Sequence, residues 1–200
     1  MTSIMYKYPK AYDLFLKIIH RNNLSERYKF ISKIIGKNKK VLDLGCGTCL
    51  LYGYLDKSCS YEGWDLNKNF INENKNKLNV KLKNVFDYKD YSENDVIVIS
   101  DLLHHVVPRH DELLKNAMNK TKKLIIIEPK VGINIIGTRN KFLKIINKLI
   151  DKILSDDDGI NSFEDRSKWF EKKEDVYKFF IKFNPKLIRE FGLDYIVVLE

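Results

Sequence analysis

Val41-Leu42-Asp43-Leu44-Gly45-Cys46-Gly47-Thr48-Cys49 is an apolar strand that ends beside an acid and runs straight into a glycine turn. One strand later comes Tyr61-Glu62-Gly63-Trp64-Asp65. Glycine at 45 and 47 lets the backbone fold tightly and approach a ligand, because a side chain at either place would fill the ligand's space. In a doubly wound sheet, the interval to Asp65 puts a carboxylate at the carboxyl end of the neighbouring strand, within reach of a ribose diol. Together these residues describe a nucleoside pocket.

Two kinds of nucleoside ligand compete for that pocket. A dinucleotide turn requires G-x-G-x-x-G, and counting from Gly45 the sixth position is Leu50, so the fingerprint fails. Here an acid, Asp43, lies two residues ahead of Gly45, which suits a cationic ligand tail where water is excluded. The segment resembles motif I, D-x-G-x-G-x-G, of the class I S-adenosylmethionine (SAM) methyltransferases. The resemblance implies that Asp43 supports the turn and the cofactor's amino group, and that Gly45, Cys46 and Gly47 approach the cofactor. Asp65 would take the ribose, with Leu66 following it. The usual third glycine is Cys49 in this chain.

Further motifs follow in the family's order, over roughly residues 39 to 130. Asn84-Val85-Phe86-Asp87 resembles its third motif, which implies that Asp87 accepts from the adenine amine and the Phe86 backbone meets a ring nitrogen. Asp95-Val-Ile-Val-Ile-Ser100-Asp101-Leu-Leu-His104-His105 is similar to the fourth motif of the small-molecule and lipid branch. That adds Ser100 and Asp101 to the cofactor residues, and His104 or His105 as a proton acceptor near neutrality. Packing and capping roles for the two histidines are the structural alternative. Leu124-Ile-Ile-Ile-Glu128-Pro129 resembles the fifth strand with its E-P ending.

Strands near 40 to 44, 60 to 65, 79 to 85, 95 to 100 and 124 to 128 alternate with helical stretches, a βαβ series. Pro108 is placed to open a helix that runs to about Lys120. Apolar residues at helical spacing over Ala11 to His20 and Leu24 to Ile35 predict two helices before the first strand, over the cofactor mouth. Lys186 to Phe191 and Tyr195 to Leu199, around a turn at Gly192, read as a closing hairpin. The expected fold is therefore α/β: a doubly wound, seven-stranded, mostly parallel sheet with an antiparallel C-terminal hairpin and helices on both faces. Its last strand would lie between the fifth and sixth. A single domain spans 1–200, with residues 1–38 as an N-terminal helical cap and 131–180 as a helical insertion or lid.

Composition sets bounds only. With 200 residues and 44% apolar content the chain buries a substantial core, and disorder is excluded. No apolar run reaches membrane-spanning length and no signal-peptide stretch opens the chain, so a cytoplasmic protein is expected. Cys46-Gly-Thr-Cys49 has redox or half-zinc spacing, but it straddles the glycine turn already explained and no second pair follows. No metal site is expected; His104, His105 and His110 match no ligand spacing. Asp156-Asp157-Asp158 reads as a solvated turn.

The stretch 138–154 carries apolar residues interleaved with lysines, a helix that lids the site, packs on the sheet or makes peripheral contact with a membrane. Trp169, Phe170, Tyr177, Phe179 and Phe180 line an acceptor pocket or belong to the core. A net charge of +9 raises nucleic acid as a partner, yet the lysines are scattered and the fourth motif lacks the loop used on base amines. The resemblance thus implies methyl transfer by in-line displacement to a small-molecule or lipid-like acceptor. An RNA or protein methyltransferase, and a SAM-binding protein without turnover, are the alternatives.

Overall fold

The computed structural model describes residues 4–130, 169–170 and 172–200. Three helices come first: α1 (Ile4–Lys7), α2 (Pro9–His20) and α3 (Asn22–Ile35). Then follow β1 (Lys40–Leu44), β2 (Ser60–Asp65), α4 (Lys68–Asn74), β3 (Val80–Leu82), β4 (Val96–Ser100), α5 (His110–Met118) and β5 (Leu124–Pro129). The described chain closes with α6 (Lys173–Ile181), β6 (Leu187–Phe191) and β7 (Asp194–Leu199). The strands form one seven-stranded sheet in the order β3-β2-β1-β4-β5-β7-β6. β1 to β5 pair in parallel, while β7 runs antiparallel between β5 and β6. The expected fold and the placement of the last strand are both present.

Near-continuous apolar runs make the central strands. Val96-Ile-Val-Ile, Leu124-Ile-Ile-Ile and Tyr195-Ile-Val-Val-Leu are buried on both faces, as a helix-covered parallel sheet requires. Alternation along each strand sends successive residues to opposite sides. One side carries Leu42, Leu44, Ile97, Ile99, Ile126 and Val197 against Leu113, Leu114 and Ala117 of α5 and Val176, Phe179 and Phe180 of α6. The other side carries Val41, Val98, Ile125, Ile127 and Ile196 against Leu16 of α2 and Leu24, Tyr28, Ile31 and Ile35 of α3. Because β1 and β4 are neighbours whose connections leave in opposite directions, a crevice opens at their carboxyl ends.

Some boundaries differ from the sequence reading. β3 spans three residues where a strand of seven was expected, because Lys81 and Leu82 are exposed at the sheet edge and have little to bury. The helix after Pro108 starts at His110 and ends at Met118. Trp169, Phe179 and Phe180 are core residues packed with α5, and Tyr177 is exposed; none of them lines the crevice. The 138–154 helix, the acidic turn at 156–158 and most of the expected 131–180 insertion lie outside the described residues.

Candidate functional site

The crevice is a cleft of about 530 Å³, within the usual size of a small-molecule site. Gly45 and Gly47 take left-handed φ values of +71° and +53° and form its floor. A Cβ built on Gly45 would meet Leu102 Cδ1 at 2.9 Å. Cys49, at the position of the family's third glycine, also sits in left-handed space, with φ +63°. Its side chain is buried next to Cys46, Sγ to Sγ 3.8 Å, so the backbone keeps the glycine-like bend despite the Cβ.

Asp65 at the end of β2 is fixed from two directions. Gly47 N–H donates to its Oδ2 at 2.8 Å and Asn67 N–H to its Oδ1 at 2.7 Å. One carboxylate therefore fastens the glycine turn to the loop that opens α4. Asn67 caps that helix by accepting from Asn69 N–H at 2.9 Å, and its amide donates to the Tyr6 carbonyl at 2.8 Å. α1 is tied to the cleft in this way. Tyr6 and Tyr12 line the cleft and pack tilted against Phe70, with ring centroids 6.1 and 5.1 Å away.

Asp43 lies behind the turn, 3% exposed, and accepts from the Tyr61 hydroxyl at 2.8 Å. Burial pushes its pKa up to about 7 against the lowering effect of that hydrogen bond. It borders a small adjoining cavity shared with Cys46, Ser100 and Asp101, outside the main cleft. Gly45, Gly47, Asp65, Leu66, Phe86, Ser100, Asp101 and His105 converge on the main cleft. Asp87 does not: its side chain is exposed, and it leads a short 3-10 turn. The Phe86 N–H donates to Asn84 Oδ1 at 3.0 Å, while its ring lies under the Arg109 guanidinium at 3.8 Å.

Across the cleft, the loop after β4 is held by buried charge. Asp101, itself in left-handed space at φ +52°, accepts from Arg27 Nη2 at 2.6 Å. Arg27 is fully buried and also donates to Asp194 at 2.8 Å. Burial opposes its charge, but Asp101, Tyr28 and Asp194 around it keep it protonated. One cation between two carboxylates balances only one of them. Asp101 stays below the ordinary carboxylate range despite its burial, because Arg27 is so close, whereas burial and the Asp101 charge push Asp194 up to about 7. His20, 3.4 Å from Asp194, is pushed down to about 4 by burial and by Arg27.

A further buried carboxylate holds the loop that carries the two histidines. Glu128, wholly buried at the end of β5, accepts from the Leu102 and Leu103 N–H groups at 2.7 and 2.5 Å. Its other oxygen lies 2.7 Å from His104 Nδ1. His104 packs on His105 with ring centroids 4.2 Å apart, and His105 is the one that lines the cleft. The sequence reading had both histidines but gave Glu128, Arg27, Asp194, Tyr6 and Phe70 no place in the site. A buried acid ending a strand and an arginine inside an apolar helix stripe were the signals for the first two.

Residues 25–144 match the family described as "Methionine biosynthesis protein MetW". No curated protein matches the sequence. Among solved structures, a SAM dependent methyltransferase from Archaeoglobus fulgidus superposes with a TM-score of 0.56 at 19% identity, covering 94% of this chain and 98% of that one. The Pyocyanin Biosynthetic Protein PhzM does so with a TM-score of 0.59 at 14% identity, over 97% of this chain and 59% of that one. An rRNA methylase from Escherichia coli follows at 0.53 and 16%, over 95% and 68%. With the matched stretch running from α3 past β5, the chain belongs to the MetW family and has the Rossmann-like fold of the SAM-dependent methyltransferases.

Proposed function

We propose that this protein is a SAM-dependent methyltransferase acting on a small-molecule or lipid-like acceptor. The observation that carries the reading is the cleft itself. A glycine floor and the clamped Asp65 face a wall of Tyr6, Phe70, His105, Val106 and Val107. The residues suit an adenosyl ligand: glycine at 45 and 47 permits the positive φ and leaves those floor positions without side chains, and the two backbone donors fix the Asp65 carboxylate. Asp65 would hold the ribose hydroxyls, Leu66 and Phe86 would cover the adenine, and Ser100 and Asp101 would meet the amino end. When bound, the cofactor supplies an activated methyl on a sulfonium, open to in-line displacement by an acceptor lone pair.

The chain's own work is alignment, exclusion of water and care of a proton. Tyr6, Tyr12 and Phe70 close one side of the cleft with aromatic surface, which favours an apolar acceptor over an extended polyanion. His105, which lines the cleft, would take a proton from an acceptor that keeps one. Glu128 orients His104, which in turn packs on His105 and limits its ring positions.

Incubation with methyl-labelled SAM and fractionated extract tests the reading. Label in lipid or small metabolites supports it; label in RNA, or no label in any fraction, contradicts it. His105→Ala is expected to slow turnover by about 100-fold with unchanged cofactor affinity, and Glu128→Gln to shift the pH profile of the rate. Full rate in both variants removes the imidazole from the account.

A further inference from the structure

We propose that the outer face of α2, with Lys7 and Tyr8 ahead of it, seats this protein on an anionic lipid surface. The inference rests on the lipid-like acceptor above for its purpose, while the binding itself needs no turnover. α2 turns Leu16 and His20 inward and leaves Lys10, Leu14, Lys17 and Ile18 exposed, with Arg21 just beyond its end. At about 100° per residue, Lys17, Lys10, Leu14 and Ile18 fall in that order across one strip of the surface. A basic edge thus runs beside an aliphatic one. Leu14 and Ile18 are 60% and 64% exposed, and Tyr8, between the two helices, is 61% exposed.

Charge identifies the occupant. Between Ile4 and Arg21 the sequence has a single acid, Asp13. Asp13 accepts from the Thr48 hydroxyl at 2.5 Å, and the nearby Lys17 charge offsets part of its burial. Lys7, Lys10, Lys17 and Arg21 sit in no ion pair among the described residues. A second copy of the chain would bring the same cations, and the net charge of +9 opposes that pairing. RNA would use the cations and Tyr8 could stack on a base, but Leu14 and Ile18, the larger part of the apolar edge, would gain nothing. At a bilayer surface both edges are served: the aliphatic side chains enter the headgroup boundary while the lysines reach lipid phosphates. Tyr12 reaches the cleft from the opposite side of α2, so the seated face and the cleft lie on two sides of one helix.

Co-sedimentation of the full chain, without cofactor, with phosphatidylcholine vesicles containing phosphatidylglycerol tests this. Binding is expected to the anionic vesicles, not to pure phosphatidylcholine, and to weaken as salt is raised. Leu14→Ser with Ile18→Ser, and separately Lys10→Glu with Lys17→Glu, should each lower the partition coefficient by about tenfold or more, with unchanged circular dichroism. No partition, equal partition onto neutral vesicles, or full partition by both variants overturns the proposal. So does a dimer in sedimentation velocity that Leu14→Ser with Ile18→Ser dissolves, or an RNA oligomer held by the lysines with the vesicles ignored. Methyl transfer without vesicle binding defeats this inference alone; vesicle binding without SAM uptake defeats only the proposed function.

Discussion

The two walls of the cleft are fastened in different ways. On the β1–β2 side, backbone does the holding: Gly47 and Asn67 N–H groups converge on Asp65, and two glycines supply the bend. On the β4–β5 side, buried ions do it: Arg27 from α3 joins Asp101 after β4 to Asp194 at the start of β7, and Glu128 gathers the loop that carries the histidines. The first wall is a turn whose rigidity comes from local geometry. The second is a junction of distant segments, in which each charge is tolerable only while its partner stays in place.

Breaking the second wall should do the greater damage to folding. Arg27→Met leaves Asp101 and Asp194 without their cation and is expected to cost about 3–5 kcal/mol in urea unfolding at neutral pH. A loss under about 1 kcal/mol would mean that the junction is not ionic in the way described.

Titration of stability sharpens the contrast further. Asp43 and Asp194 are held protonated up to about pH 7 by burial, against an ordinary carboxylate near pH 4 in the unfolded chain. Between those values the folded state binds more protons, so both groups make stability fall as pH rises from about 4 to 7. His20, neutral in the fold down to about pH 4, acts the opposite way, lowering stability as pH falls from about 6.5. His110, also lowered by burial, acts as His20 does, while Asp43 and Asp194 go on titrating up to about pH 7, so a decline is expected between about pH 6.5 and 7. Asp43→Asn should flatten that decline, and an unchanged slope would place the proton elsewhere. The smallest effect is local to the first wall: Asn67→Ala removes the α4 cap and is expected to lower stability by about 1 kcal/mol in thermal unfolding.

The same division explains what the sequence reveals. A bend that needs positive φ writes itself into adjacent letters, so Gly45, Gly47 and the interval to Asp65 are readable, as is the strand order that follows from βαβ units. Even the exception is informative, since Cys49 keeps the left-handed backbone that the usual glycine would have there. Arg27, Asp101 and Asp194 carry no such signature. Their pairing spans most of the chain: the place of Arg27 in the apolar stripe of α3 hints at burial, but no adjacent letters name its partners. Glu128 stands in plain view at the end of β5, but the loop amides it gathers belong to another strand's turn. Asp87 is named by a motif, and the fold leaves it exposed beside Asn84 and Phe86, which line the cleft.

Calorimetric titration of SAM into the chain and into Asp65→Ala tests the central claim most directly. The account predicts one site per chain, with affinity reduced in the variant by about 10- to 100-fold through lost charge-assisted hydrogen bonds. Equal affinity in the two proteins, or no heat in either at millimolar SAM, would contradict it.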